Sequence, residues 1–345
     1  MMDIQQAINK ILNGHNLSIS DMREAMMQIM TGKATDAQIG GFLIGLRMKG
    51  ETVEEITGAA QIMRELSVPL HLTNEHLVDI VGTGGDSAGI FNVSTASIFV
   101  AAAAGANIAK HGNRGVSSSS GSADLLEYAG VNLDLSAEQI GLCVEEVGVG
   151  FMFAINHHGA MKHAVGARKE LGVRTIFNLL GPLTNPAKVP NMLLGVYDRK
   201  WLIPLAEVMR ALGCEHVLVV HSQDGLDEIS ISSDTWIVEL KDGEISEYTL
   251  MPEDFGMSKG NLDDLKISDA KESLDLIKLA LSKQRVFSSK VESASDIIAL
   301  NAGAALYVSG VANNLAEGVI LAQDAIGSGL AKEKISELAA FTRCF

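Results

Sequence analysis

Cysteine is scarce: Cys143, Cys214 and Cys344 are the whole complement. An odd set without CxxC spacing argues against a disulfide framework and a zinc site, and fits a reducing, cytoplasmic setting. Aromatic residues make up 5% of the chain, too few for an aromatic-rich binding platform. Positive charge is also short, with 27 Lys and Arg against 42 Asp and Glu for a formal charge of −15. Such a surface repels phosphate backbones, which excludes nucleic acid as the main partner but leaves room for a small anion held by a local basic pocket or by metal ions. No long apolar run occurs: the most hydrophobic stretch, 98–106, falls far below the roughly 20 residues of a membrane-spanning helix. The opening MMDIQQAINK carries Asp3 ahead of any apolar run, so no secretory leader and no membrane are expected.

What is present describes a globular protein. Hydrophobic residues reach 47% and charged residues 20% of 345 positions. At roughly 100–200 residues per domain, the length suggests about two. Glycine (34) and methionine (14) are plentiful, which favours tightly packed helices and many backbone turns.

The first seventy or so residues read as successive helices. Thr35 with Gln38 and Thr52 with Glu55 have capping-box spacing, Ile39, Phe42, Leu43, Leu46 and Met48 recur near the helical period, and Gly50 offers a left-handed stop. The pattern changes near Pro69. LVDIV (77–81) is β-prone, followed by a glycine-rich turn and a small-residue helix over 94–104, the start of an α/β unit. Further strands are expected at 108–110, 149–154, 192–197 and 216–221, with helices at 122–128, 136–147 and 201–212. That alternation predicts a largely parallel sheet flanked by helices. Apolar and polar residues alternate over 229–250 around Asp242-Gly243, which predicts a hairpin, and the last eighty residues read as helical. Pro182, Pro186 and Pro190, half of all six prolines, mark a kinked crossing between domains.

The densest chemical signal is Val81-Gly82-Thr83-Gly84-Gly85-Asp86, after a strand and before a helix. Glycines there let amides approach an anion, and a helix start adds a favourable dipole. It matches neither GxGxxG nor a P-loop, and Asp86 would repel a phosphate unless a cation or a ligand hydroxyl intervened. A tight turn with a capping Asp is the plainer reading of this loop alone. Asn92-Val93-Ser94-Thr95 then supplies amides and hydroxyls at a helix start, where Ser94 is otherwise an N-cap. A second loop, Lys110-His111-Gly112-Asn113-Arg114-Gly115-Val116, runs into Ser117, Ser118, Ser119, Ser120 and Ser122. Successive parallel strands open on one side, so both loops should face one crevice. Asp227-Glu228 follows another strand, and adjacent carboxylates there suit a hard divalent ion bridging phosphate oxygens, with Asp224 a competing ligand. Arg168 on a helical pattern can take a carboxylate through two parallel hydrogen bonds, or pair with Glu170 at the surface. His157 and His158 lack a third ligand at metal spacing and read as capping or packing residues.

Taken in order, GTGGD, NVST, KHGNR, the serine loop, HHGAMKHAVGARKELG and RTIFNLLGPLTNP resemble the anthranilate phosphoribosyltransferase family of tryptophan biosynthesis nearly end to end. The resemblance implies an α/β fold of nucleoside phosphorylase/phosphoribosyltransferase type: a small all-helical domain, 1–71 joined by about 170–190, and a larger domain, 72–169 and 191–345, with a mainly parallel central sheet. It implies a homodimer through the helical domain and two Mg²⁺ per subunit. By the same resemblance Gly82, Gly85, Asp86, Ile90, Asn92, Val93, Ser94, Thr95, Lys110, His111, Gly112, Asn113, Arg114, Gly115, Val116, Ser117, Ser118 and Ser122 form a phosphoribosyl pyrophosphate site. Ser94 and Glu228 would hold one Mg²⁺ and Asp227 with Glu228 the other, while Gly82, Asn113 and Arg168 would contact anthranilate, Arg168 facing its carboxylate. Lys110, Asp227 and Glu228 are the implied catalytic residues, Lys110 and the metal stabilising charge on the departing pyrophosphate. The chain departs from the family at Ile90, where Thr or Ser is usual, and at Gly159, where Pro or Ser is frequent. Two rivals are a pyrimidine-nucleoside phosphorylase, which the paired carboxylates disfavour, and a noncatalytic phosphoribosyl pyrophosphate-binding sensor.

Overall fold

The computed structural model describes residues 2–86, 88–115, 120–284 and 288–345. Four helices come first: α1 (Ile4–Leu12), α2 (Ile19–Met30), α3 (Asp36–Lys49) and α4 (Val53–Glu65). The two expected capping boxes are formed, and Asp3, Ser18 and Ser136 open their helices in the same way. Gly50 does end α3 at positive φ (+90°), but its ψ of 125° lies outside the left-handed helical region. From residue 77 the chain alternates: β1 (Leu77–Gly82), α5 (Val93–Ala103), β2 (Asn107–Gly112), α6 (Ser122–Tyr128), α7 (Ala137–Val147) and β3 (Val149–Phe153). Then follow α8 (Ala154–His157), α9 (Lys162–Leu171), α10 (Phe177–Leu183), β4 (Asn191–Gly195), α11 (Leu202–Ala211) and β5 (His216–Ser222). The expected hairpin is β6 (Thr235–Lys241) and β7 (Glu244–Leu250), turning at Asp242, which takes φ +51°, and Gly243. Helices α12 (Ala270–Ala280), α13 (Ser289–Val308), α14 (Leu315–Ser328) and α15 (Leu330–Thr342) complete the chain.

The seven strands lie in the order β3-β2-β1-β4-β5-β6-β7, parallel from β3 to β5 and antiparallel beyond. Side chains alternate across it with period two. Val78, Ile80, Ile108, Leu193, Leu218 and Val220 face one core with α5, α13, α14 and α15. Leu77, Ala109, Met192, Leu194, Val217 and Val219 face a second core that continues into α1–α4, α10 and α11. Helix α9 packs on α2 and α3, and α10 packs on α4, so the chain returns to the opening helices after β3.

The proline-rich crossing is tied on both sides. Pro182 sits inside α10, Arg64 Nε of α4 donates to Leu183 O at 2.6 Å, and Asn185 Nδ2 donates to Asp79 Oδ2 of β1 at 2.7 Å. All three cysteines are free thiols, and no described helix is long and apolar enough to cross a membrane.

Candidate functional site

The loops that the sequence singles out meet at the C-terminal ends of β1, β2, β4 and β5. Gly84 N, in the loop after β1, donates to Asp227 Oδ2 at 2.7 Å, in the loop after β5. Ser94 N, in the first turn of α5, donates to Glu228 Oε1 at 3.1 Å. Asn92 Nδ2 donates to Ser120 O at 3.0 Å, tying the first loop to the serine loop after β2. Gly82, Gly85, Asp86, Asn92–Thr95, Lys110–Gly115, Ser122, Asp227 and Glu228 therefore share one edge of the sheet. Val116, Ser117, Ser118 and Ser119 lie outside the described residues.

Room for the acidic pair is cut by two glycines in register, Gly82 of β1 opposite Gly195 of β4. A Cβ on Gly82 would collide with Asp227 Oδ2, and one on Gly195 with the backbone oxygen of Asp227. The second clash has no flexible atom to yield. Gly195→Ala is therefore expected to displace the acidic loop at a cost of about 3 kcal/mol, measured as a lower unfolding midpoint in urea with an unchanged m-value.

Ser94 is not an N-cap; Asn92 holds that position, and its side chain bonds Ser120 O and Ser273 rather than the helix. The first turn of α5 thus offers an amide to Glu228, where the helix dipole favours a negative charge. Val93 and Thr95 are buried, and Thr95 Oγ1 has no hydrogen-bond partner among the described residues. Ile90 pairs in an isolated bridge with Lys266 and packs against the core.

Electrostatics mark the corner as undercompensated. Burial, then the charge of neighbouring Asp86, pushes the Asp227 carboxyl up to about 7. Burial, then Asp227, raises Glu228 well above the usual carboxylate range. The cation on hand is Lys110, 2% exposed, whose own ammonium is pushed down by burial and pulled up by Asp79, Glu228 and Asp227. Its Nζ donates to Ile80 O. Inside the protein the ammonium thus acts as a counter-charge to the acids. Among the described residues no three His, Cys, Asp or Glu side chains form a self-contained metal cage. The buried Asp227, the half-buried Glu228 and a nearby hydroxyl still fit a hard cation that completes its shell with phosphate and water oxygens, as Mg²⁺ does.

The second loop is braced separately. Arg114 pairs with Glu127 (2.7 and 3.0 Å) and Asp124 (3.1 Å), and Ser122 Oγ donates to Asn113 O at 3.3 Å. Asn113, Arg114 and Gly115 are exposed. His111 is buried with its Nε2 3.2 Å from His158 Nε2, and His157 bonds Val68 O, so the two histidines after β3 pack as expected. Burial holds both His111 and His158 neutral at pH 7.

Arg168 has no carboxylate partner among the described residues; its guanidinium lies 4.9 Å from the Phe177 ring centroid. The surface pair with Glu170 is absent there. Arg174, which sequence reasoning passed over, stacks 4.2 Å from the Tyr197 ring centroid and donates from Nη2 to Gly85 O, while its own carbonyl accepts from Arg47 of α3. It connects the helical side to the glycine loop. Gly195 and Asp79 were also missed; only a known register between β1 and β4 would have exposed the first. A cavity of about 620 Å³ lined by Ser18, Arg23 and Glu54 lies among the opening helices and holds none of this chemistry.

Comparison with known families places this helical bundle and sheet among the glycosyl transferases. Residues 5–67 match the family model described as glycosyl transferase family, helical bundle domain, and residues 74–332 match the a/b domain of the same family. The chain is 62% identical over 344 residues to the anthranilate phosphoribosyltransferase of Marinomonas sp., covering 100% of this chain and 98% of that protein. It is 60% identical to that of Cellvibrio japonicus, covering 99% of each. The crystal structure of anthranilate phosphoribosyltransferase from Thermus thermophilus superposes with a TM-score of 0.91 at 41% identity, over 98% of this chain and 99% of that one. The Saccharomyces cerevisiae enzyme in complex with PRPP and Mg superposes with a TM-score of 0.90 at 26% identity, over 99% of this chain and 98% of that one. The chain belongs to the anthranilate phosphoribosyltransferase family.

Proposed function

We propose that the protein transfers the phosphoribosyl group of phosphoribosyl pyrophosphate to the amine of anthranilate, releasing pyrophosphate, in tryptophan biosynthesis. The observation that carries this reading is the junction of the Gly84 and Ser94 amides with Asp227 and Glu228. It sets the glycine loop and the first turn of α5 against a corner that needs added positive charge.

The two carboxylates, with Ser94, would hold Mg²⁺, two ions per subunit, which supplies Lewis-acid stabilisation of the leaving pyrophosphate. The chain's own groups do the rest. The C1–O bond to pyrophosphate breaks as the anthranilate nitrogen bonds to C1, through a transition state of oxocarbenium character, and the nitrogen then releases its extra proton to water or to the departing pyrophosphate. Gly82, Gly85, Asp86, Ile90, the first turn of α5 and residues 110–115 with Ser122 line the phosphoribosyl side. Gly82, Asn113 and Arg168 align the aromatic amine, with Arg168 on its carboxylate. The aniline-type nitrogen is unprotonated at neutral pH, so no strong base is needed. Lys110 offsets part of the acidic charge.

The molecule divides at 1–71 with about 170–190 against 72–169 with 191–345. It pairs as a cytoplasmic homodimer through the helical part, where Leu12 and Met48 stand 70% and 83% exposed.

Loss of anthranilate fluorescence on adding phosphoribosyl pyrophosphate and Mg²⁺ tests the assignment, with nucleoside phosphorolysis run alongside. Turnover only in the second assay would favour the phosphorylase instead. A pH dependence follows from the acids. Mg²⁺ must displace protons from Asp227, whose carboxyl is pushed up to about 7, and from Glu228, which burial and Asp227 also raise. The Mg²⁺ concentration for half-maximal rate should therefore climb as pH falls from 8 to 6, gently above about pH 7 and approaching about tenfold per unit below it for each proton released.

A further inference from the structure

The loop carrying Asp227 and Glu228 is gripped from two sides by side chains that stay out of the acidic corner. Asn301 of α13 is fully buried. Its Oδ1 accepts from Ile229 N at 3.0 Å and its Nδ2 donates to Ile229 O at 2.9 Å. It thus pairs with both backbone groups of the residue after Glu228, as a neighbouring strand would. Its second N–H donates to Ile297 O at 2.9 Å, one turn back on the same helix, which fixes the amide's orientation.

Asp224 works from the solvent side. Its carboxylate accepts from Ser222 Oγ at the end of β5, from Ser230 Oγ at 2.6 Å and from Ser232 Oγ. Its amide donates to Ser233 Oγ at 3.1 Å. Ser222 Oγ in turn accepts from Leu226 N at 3.0 Å, one residue before Asp227. Both carboxylate oxygens accept from hydroxyls that join the two ends of the loop, so Asp224 braces the loop from its own side.

Such bracing has a physical purpose. Asp227 and Glu228 repel each other and Asp86, and burial penalises their charge. Left to itself, this loop would relieve that cost by turning its carboxylates toward water. A preset geometry also removes the ordering cost from cation binding.

We propose that Asn301 and Asp224 are positioning residues that preset Asp227 and Glu228 for a divalent cation before it arrives. The inference rests on the metal reading given under Proposed function. Two readouts test it on the full-length protein: amide hydrogen exchange without metal, and Mn²⁺ binding followed by electron paramagnetic resonance with inorganic pyrophosphate present. Asp224→Ala should speed exchange at residues 226–230 about tenfold or more and weaken Mn²⁺ binding about tenfold, leaving KM for anthranilate within about twofold. Asp224→Asn, which still accepts from hydroxyls, should restore most of both, and Asn301→Ala should exceed Asp224→Ala where it folds. Because Asp224 is at the surface, its variants test the idea even if Asn301→Ala fails to fold. Parental Mn²⁺ binding in Asp224→Ala, or exchange accelerated evenly along the whole chain, would overturn the positioning role. A parental protein that binds no Mn²⁺ would instead overturn the metal reading beneath it, a result distinguishable because it precedes any substitution.

Discussion

Exchanging Asp227 for Asn together with Glu228 for Gln should lower kcat/KM by about a thousandfold, roughly 4 kcal/mol of lost transition-state stabilisation. The same variant, free of metal at pH 8, should be at least as stable as the parent. The sign follows from linkage. Asp227 has a folded pKa near 7 against an ordinary 3.8, so between those values the folded chain holds more protons than the unfolded one. Stability therefore falls as pH rises through that window, and above it the parent bears the full cost of charging Asp227 beside the half-buried Glu228. The neutral amides avoid that cost, and the amide oxygen introduced by Asp227→Asn still offers Gly84 N an acceptor. Assays across Mg²⁺ concentrations, with urea melts at pH 5 and 8, check both halves. A variant that lost activity through misfolding would melt earlier at both pH values; unchanged Mg²⁺ dependence would show that the pair holds no metal.

Removing the guanidinium at Arg168 should have the second largest effect, and a selective one. Arg168→Ala is expected to raise KM for anthranilate about 100-fold, ~2.8 kcal/mol at 1.4 kcal/mol per factor of ten, with KM for phosphoribosyl pyrophosphate changed less than about threefold. The expectation rests on a partly buried cation stacked on Phe177 that has no carboxylate of its own among the described residues. Burial already lowers its pKa, so an incoming carboxylate gains a partner that is partly desolvated. Arg168→Lys should recover little, since an ammonium cannot reproduce two parallel hydrogen bonds. Equal losses for both substrates would contradict the assignment.

Much of this was legible in the chain because the governing interactions are local. Capping pairs at Thr35 and Thr52, the period-two hairpin at Asp242-Gly243 and the glycine-rich turn after β1 each act within a few residues, and each forms as the sequence implies. The site was legible as a set of strand-end loops because parallel order alone places them together. What the sequence concealed depends on contacts between distant segments. Gly195 matters only because β4 lies in register with β1 and Asp227 enters between them. Asn301 stands 72 residues beyond its Ile229 partner. Arg174 reaches Gly85 across 89 positions, and Lys110 became a buried counter-charge only once β2 was set beside the acidic loop.

The central claim is that the two loops and the acidic pair form one cation-dependent site. A crystal structure of the protein with phosphoribosyl pyrophosphate and Mn²⁺, phased to show the metal by anomalous scattering, measures this directly. The expected map has a peak bonded to oxygens of Asp227 or Glu228 and of the diphosphate, with the phosphoribosyl group against the glycine loop and the start of α5. Metal and ligand bound elsewhere, with that corner still occupied by its own hydrogen bonds, would contradict it.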